Sequence, residues 1–101
     1  MIKHVVLWKF AENALGKTRE ENLEEASARL RALPAAIAEI RELEVRRGIL
    51  PGDRTFDLVL FSSFDSLEDL RAYQEHPAHQ QVVSFLRSVQ IERAVIDCEV
   101  P

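Results

Sequence analysis

Residues 73 to 79 read Tyr-Gln-Glu-His-Pro-Ala-His and gather the residue types best suited to proton transfer. Two of the three histidines, His76 and His79, lie here beside the only tyrosine, Tyr73. Histidine titrates near neutral pH, and both side-chain types can move a proton in partly apolar surroundings. The segment therefore predicts a site for acid–base chemistry.

A helix junction is expected within this segment. Pro77 suits the first position of a helix, and the residue before a proline avoids the helical region, so His76 is predicted as the N-cap. His79 would then be the third residue of the new helix, where the positive helix end disfavours the imidazolium. A neutral His79 could serve as a general base, and the Tyr73 hydroxyl could donate to a developing enolate oxygen. The structural alternative is a histidine bonded to a backbone carbonyl and a core tyrosine with one partner.

His4 is the third candidate residue, and it lies on the first predicted strand. It shares a strand face with Val6 and Trp8. If that face meets the helices, His4 lines a pocket with Tyr73 and His79; if it meets a partner subunit, His4 is an interface residue. Trp8 and Phe61 are expected in the core or in an interface. No acidic residue stands at metal-ligand spacing from the histidines, so no metal site is predicted.

Periodicity and turn residues divide the chain into strands and helices that position these residues. Strands are predicted over Ile2–Phe10, about Ile40–Ile49, Phe56–Phe64 and Ile91–Val100. A first helix is predicted from the Thr18–Glu21 capping box to near Pro34. A second helix is predicted to begin at Ser66, with Leu67, Leu70 and Tyr73 on one face, and a third to begin at Pro77. This order is typical of a ferredoxin-like βαββαβ fold of the α+β class, with an antiparallel four-stranded sheet and helices on one face.

The first strand also predicts an assembly. Val6 and Trp8 make one of its faces apolar, and Val5 and Leu7 do the same for the other, which is typical of a strand covered on both sides. The chain's own helices can cover one side only. The 101 residues fit a single domain over 1–101, so a homodimer through the sheet face is expected to cover the other.

Composition excludes several partners. The net charge is −4 with scattered basic residues, which argues against a nucleic-acid surface. No apolar run approaches the length of about 18 residues that a membrane span needs, and no signal peptide is recognised, so the cytoplasm is the expected compartment. The single cysteine, Cys98, is expected as an ordinary strand residue.

The opening Ile2-Lys-His-Val-Val-Leu, the Phe61-Ser-Ser-Phe64 strand end and the Tyr73…His76-Pro77…His79 block together resemble the stress-responsive A/B barrel (Dabb) family. The resemblance covers essentially the whole chain. It implies a dimeric α+β barrel in which two subunits press their sheets together with the helices outside.

The family includes a plant polyketide cyclase that makes olivetolic acid by aldol condensation without a cofactor. Its tyrosine and histidine pair resembles Tyr73 and His79, and another pocket histidine resembles His4. A further histidine of that enzyme falls at Leu58 here. The resemblance therefore implies a cofactor-free, cyclase-like lyase with an apolar small-molecule ligand. Two other functions stay open: a non-catalytic, stress-related binding or scaffold dimer, and a cofactor-independent monooxygenase.

Overall fold

The structure, a computed structural model, describes all residues from 1 to 101. In chain order the elements are β1 (Ile2–Phe10), β2 (Asn13–Ala14), β3 (Lys17–Thr18), α1 (Arg19–Arg31), α2 (Leu33–Ala36), β4 (Glu42–Arg47), β5 (Leu58–Phe64), α3 (Leu67–Glu75), α4 (Pro77–Val89) and β6 (Gln90–Glu99). None of the helices has the length and hydropathy needed to cross a membrane.

The main sheet has four antiparallel strands in the order β4-β5-β1-β6. β1 lies inside the sheet, where His4 is opposite Ser62 of β5 and Asp97 of β6. The predicted α+β, ferredoxin-like order of strands and helices is confirmed. The sequence did not predict the small β2–β3 hairpin, whose turn residues Leu15 and Gly16 have φ values of 56° and 72°.

The two faces of this sheet differ. On the helix-facing side, β1 buries alternate residues from Ile2 to Phe10 against core side chains of the helices such as Leu30 and Leu86. The opposite side, which we call the open face, has nothing packed on it. Its apolar centre consists of Val5, Leu7, Val59, Phe61 and Ile96.

The first helix begins as the sequence predicts. The Thr18 hydroxyl accepts a hydrogen bond from the Glu21 amide (3.2 Å), and the Glu21 carboxylate accepts one from the Thr18 amide (3.0 Å). The helix ends near Pro34, as predicted, but α1 already stops at Arg31 and Pro34 itself lies in the first turn of α2. A proline fits there because the first turn of a helix needs no amide donor.

Two further expectations need correction. The strand predicted over Ile40–Ile49 is shorter, Glu42–Arg47, and Ile49 is 91% exposed in the loop that follows. Leu67 does not share the buried face of α3 with Leu70 and Tyr73, and it is 52% exposed. At 3.6 residues per turn, a spacing of three drifts around the helix, so Leu67 lies about 120° from Tyr73.

Candidate functional site

A cavity of about 370 Å³ lies between the helix-facing side of the sheet and the helices. Fourteen residues from β1, β5, β6, α1, α3 and α4 line it, and seven of them are hydrophobic. His4, Tyr73 and His79 are all among them. The tertiary structure thus brings together residues that the sequence separates by up to 75 positions, and β1 presents His4 to the helices, not to the open face.

The break between α3 and α4 positions two of these side chains. α3 ends at Glu75, and His76 caps α4 by accepting a hydrogen bond from the Ala78 amide on Nδ1 (3.0 Å). His76 is therefore an N-cap, as predicted. Because the chain turns at this cap, Tyr73 in the last turn of α3 and His79 in the first turn of α4 meet with ring centroids 4.3 Å apart.

The break also leaves the Gln74 carbonyl without its usual helical donor. His79 fills this role through Nδ1 at 3.1 Å, and the Gln80 side-chain amide donates to the same oxygen at 2.6 Å. A carbonyl oxygen can only accept, so His79 carries its proton on Nδ1. In the neutral ring, Nε2 is then the free, basic nitrogen.

The electrostatic surroundings keep His79 neutral. Partial burial lowers its pKa below the 6.5 of a solvated histidine, and electrostatic interactions with His4 and Arg93 lower it further. The hydrogen bond to Gln74 opposes this shift but does not reverse it. At pH 7 the ring is therefore an unprotonated base beside a cavity.

Tyr73 is fully buried, yet its hydroxyl has no hydrogen-bond partner in the protein. The ring packs against Phe64, with centroids 5.0 Å apart, and stands edge-on to His4 at 6.0 Å. Burial raises the pKa of the hydroxyl, so it stays protonated and acts as a donor. A buried donor without a partner is costly, so this one calls for an explanation.

His4 is held by a residue that the sequence analysis missed. Its Nδ1 contacts the Asp97 carboxylate, which faces it across the β1–β6 pair. The carboxylate accepts from Nδ1–H, which fixes the ring orientation and leaves Nε2 as the other functional nitrogen. Strand register alone creates this pair, and the only signal in the sequence is that Asp97 shares a strand face with Val95.

Trp8 belongs to the core, as predicted, but it also lines the cavity. Its indole N–H is buried and has no partner. Two donors, the Tyr73 hydroxyl and the Trp8 N–H, are thus left unsatisfied in residues that line one cavity. Leu58, by contrast, is a buried core residue outside the cavity, and no three His, Cys, Asp or Glu side chains cluster to hold a metal ion.

Comparison with known proteins identifies the family. A model of the stress responsive A/B barrel domain matches residues 2–100. The chain belongs to the Dabb family. This confirms the resemblance drawn from the opening strand and the Tyr73–His79 block.

Individual relatives agree with the fold. An uncharacterized protein of Streptomyces coelicolor is 33% identical over 87 residues, covering 86% of this chain and 88% of its own. A dimeric, ferredoxin-like protein of unknown function from Bacteroides fragilis is 33% identical, with a TM-score of 0.84 over 98% of this chain and 95% of that one. A hydroxynitrile lyase of Passiflora edulis has the same fold at 15% identity, with a TM-score of 0.82 over 99% and 93% of the two chains.

Proposed function

We propose that this Dabb protein is a homodimer that removes a proton next to the carbonyl group of a small, largely apolar compound. The observation that carries the proposal is the meeting, in one cavity, of a free histidine base and an unpartnered tyrosine hydroxyl. Aldol closure of a polyketide begins with this step. One structural relative, a hydroxynitrile lyase, is consistent with a lyase on this fold.

Each residue has a distinct role in the proposed step. Nε2 of His79 takes the proton from the carbon beside the carbonyl, because Nδ1 is committed to the Gln74 oxygen. The Tyr73 hydroxyl donates to the oxygen as negative charge develops on it. His4, oriented by Asp97, contacts the ligand from the sheet side. No cofactor is needed, since a base and an oxyanion donor are sufficient for enolate formation.

The homodimer is proposed to form through the open face. That face presents an apolar centre in which Phe61 is 36% and Ile96 62% exposed. The Bacteroides fragilis relative is described as dimeric, and it is 33% identical to this chain. A small domain gains apolar burial from such an interface. The cavity lies on the other side of the sheet, so both copies would keep their sites.

Hydrogen exchange tests the proposed step directly. The probe is 4-phenyl-2-butanone in deuterated buffer, followed by NMR loss of the signals of the protons beside the carbonyl. Exchange should exceed that caused by the same concentration of free imidazole, and His79→Ala and Tyr73→Phe should each lower it by about a hundredfold. The matched control is His76→Asn, which alters a histidine outside the cavity and keeps an N-cap residue.

Two results would contradict the proposal. Exchange no faster than with imidazole, together with ligand binding, would favour a non-catalytic binding module. If both cavity variants keep the exchange rate of the parent, then His79 and Tyr73 do not take part in the removal of the proton. The scaffold alternative predicts that both residues are bonded and packed. The bond of His79 to the Gln74 carbonyl agrees with that alternative, whereas the unpartnered Tyr73 hydroxyl opposes it.

A further inference from the structure

The charges around the cavity are one-sided. Two arginines line it, Arg87 from the last turn of α4 and Arg93 from β6, and no aspartate or glutamate does. The nearest carboxylate on the same face of β6, that of Asp97, is already bonded to His4. Neither arginine forms an ion pair within the chain, although five other pairs do form.

Strand pairing fixes the place of Arg93. It lies opposite Trp8 in the β1–β6 pair, so its side chain leaves the sheet on the helix-facing side beside the indole. Its positive charge opposes the rise in the pKa of Tyr73 that burial causes, and it adds to the lowering of the pKa of His79, so its field reaches the candidate site. Trp8, its partner across the strand pair, adds a buried, unpartnered N–H group among the residues that line the same cavity.

From this arrangement we infer that the ligand carries an anionic group, most simply a carboxylate, which Arg93 binds with support from Arg87. This inference deepens the proposed function and rests on it, because it defines the substrate class of the same cavity. The arginine and indole N–H groups can only donate, and the Tyr73 hydroxyl is an unpartnered donor, so these groups require acceptors from the ligand. An acidic carbonyl compound meets that requirement at two points: its carboxylate binds Arg93, and its carbonyl oxygen binds Tyr73.

The test compares two probes of the same shape, 4-phenylbutyrate and 4-phenylbutyramide. Trp8 is the only tryptophan and lines the cavity, so its fluorescence reports binding of either probe. The carboxylate should bind at least about tenfold more tightly than the amide. Arg93→Gln should remove most of this preference and Arg87→Gln part of it. Arg71→Gln, a change at an exposed arginine outside the cavity, should leave it intact.

Several outcomes would overturn the inference. Equal binding of acid and amide, a preference for the amide, or a preference that survives in Arg93→Gln would each do so. Hydrogen exchange of the neutral probe 4-phenyl-2-butanone distinguishes failure of the anionic-ligand inference from failure of the proposed function. If that exchange persists while the acid has no advantage, only the anionic requirement is wrong; if exchange and binding are both absent, the proposed function fails as well.

Discussion

The two faces of the four-stranded sheet differ in which groups lack a suitable partner: buried polar groups on the helix-facing side and exposed apolar side chains on the open face. On the helix-facing side the helices cover β1 and β5, but two polar groups there, the Tyr73 hydroxyl and the Trp8 N–H, have no partners. The open face also carries one such group, the buried Ser63 hydroxyl, but it differs in its apolar residues, such as Phe61 and Ile96, which lie partly in water. An unsatisfied buried donor is a sign of ligand binding, whereas an uncovered apolar surface is a sign of assembly. We therefore propose a ligand site on the helix-facing side and dimerisation through the open face.

The largest expected effect is on the open face. Phe61→Asp would place a charge in the proposed dimer interface, where its burial should cost roughly 3 kcal/mol or more. We expect this variant to be monomeric or unfolded at micromolar concentration, as judged by sedimentation and denaturant melts. The matched control is Leu67→Asp, which introduces the same charge at an exposed leucine of α3. A parent protein that is itself a well-folded monomer would contradict the assignment of this face.

The second-largest expected effect is on the free energy of unfolding, and it distinguishes two buried hydroxyl groups on the helix-facing side. The Ser62 hydroxyl donates to the His4 carbonyl oxygen (3.2 Å), whereas the Tyr73 hydroxyl has no partner. Ser62→Ala should therefore lower the free energy of unfolding by about 1 kcal/mol. Tyr73→Phe should leave it unchanged or raise it slightly, because a costly group is removed. Denaturant melts under identical conditions measure both, and a loss of about 2 kcal/mol in Tyr73→Phe would favour the structural reading of this tyrosine.

The smallest expected effect is the pH dependence due to His79. Its pKa is lowered in the folded state, so the unfolded chain binds the proton more readily. The contribution of His79 to stability is thus fully present above the unfolded pKa, and it declines as the pH falls through 6.5 toward the folded value. Melts between about pH 7.5 and about pH 5.5 should show a smaller decline for His79→Gln than for the parent. Parallel curves for the two proteins would contradict the lowered pKa, and His76→Asn serves as the control.

Much of the fold was predictable because local chemistry determines it. The Thr18–Glu21 capping box begins α1, and Pro77 after His76 divides the second helical region, since these residues act on their immediate neighbours. The two apolar faces of β1 follow from its alternation of residues. The departures from prediction at Pro34 and Leu67 are also local. Pro34 begins a second short helix after α1 has ended, and a three-residue spacing drifts around a helix, which exposes Leu67.

The candidate site was predictable only in part. The sequence alone indicated Tyr73, His79 and His4, because few other residue types in the chain transfer protons near neutral pH. Only the tertiary structure decided that His4 faces the helices, that Asp97 orients it and that Arg93 lies beside Trp8. These relations depend on the register between β1 and β6, whose residues stand about 90 positions apart in the chain. A register shift of one residue would reverse the face of every side chain on β6, and no local pattern in the sequence fixes it.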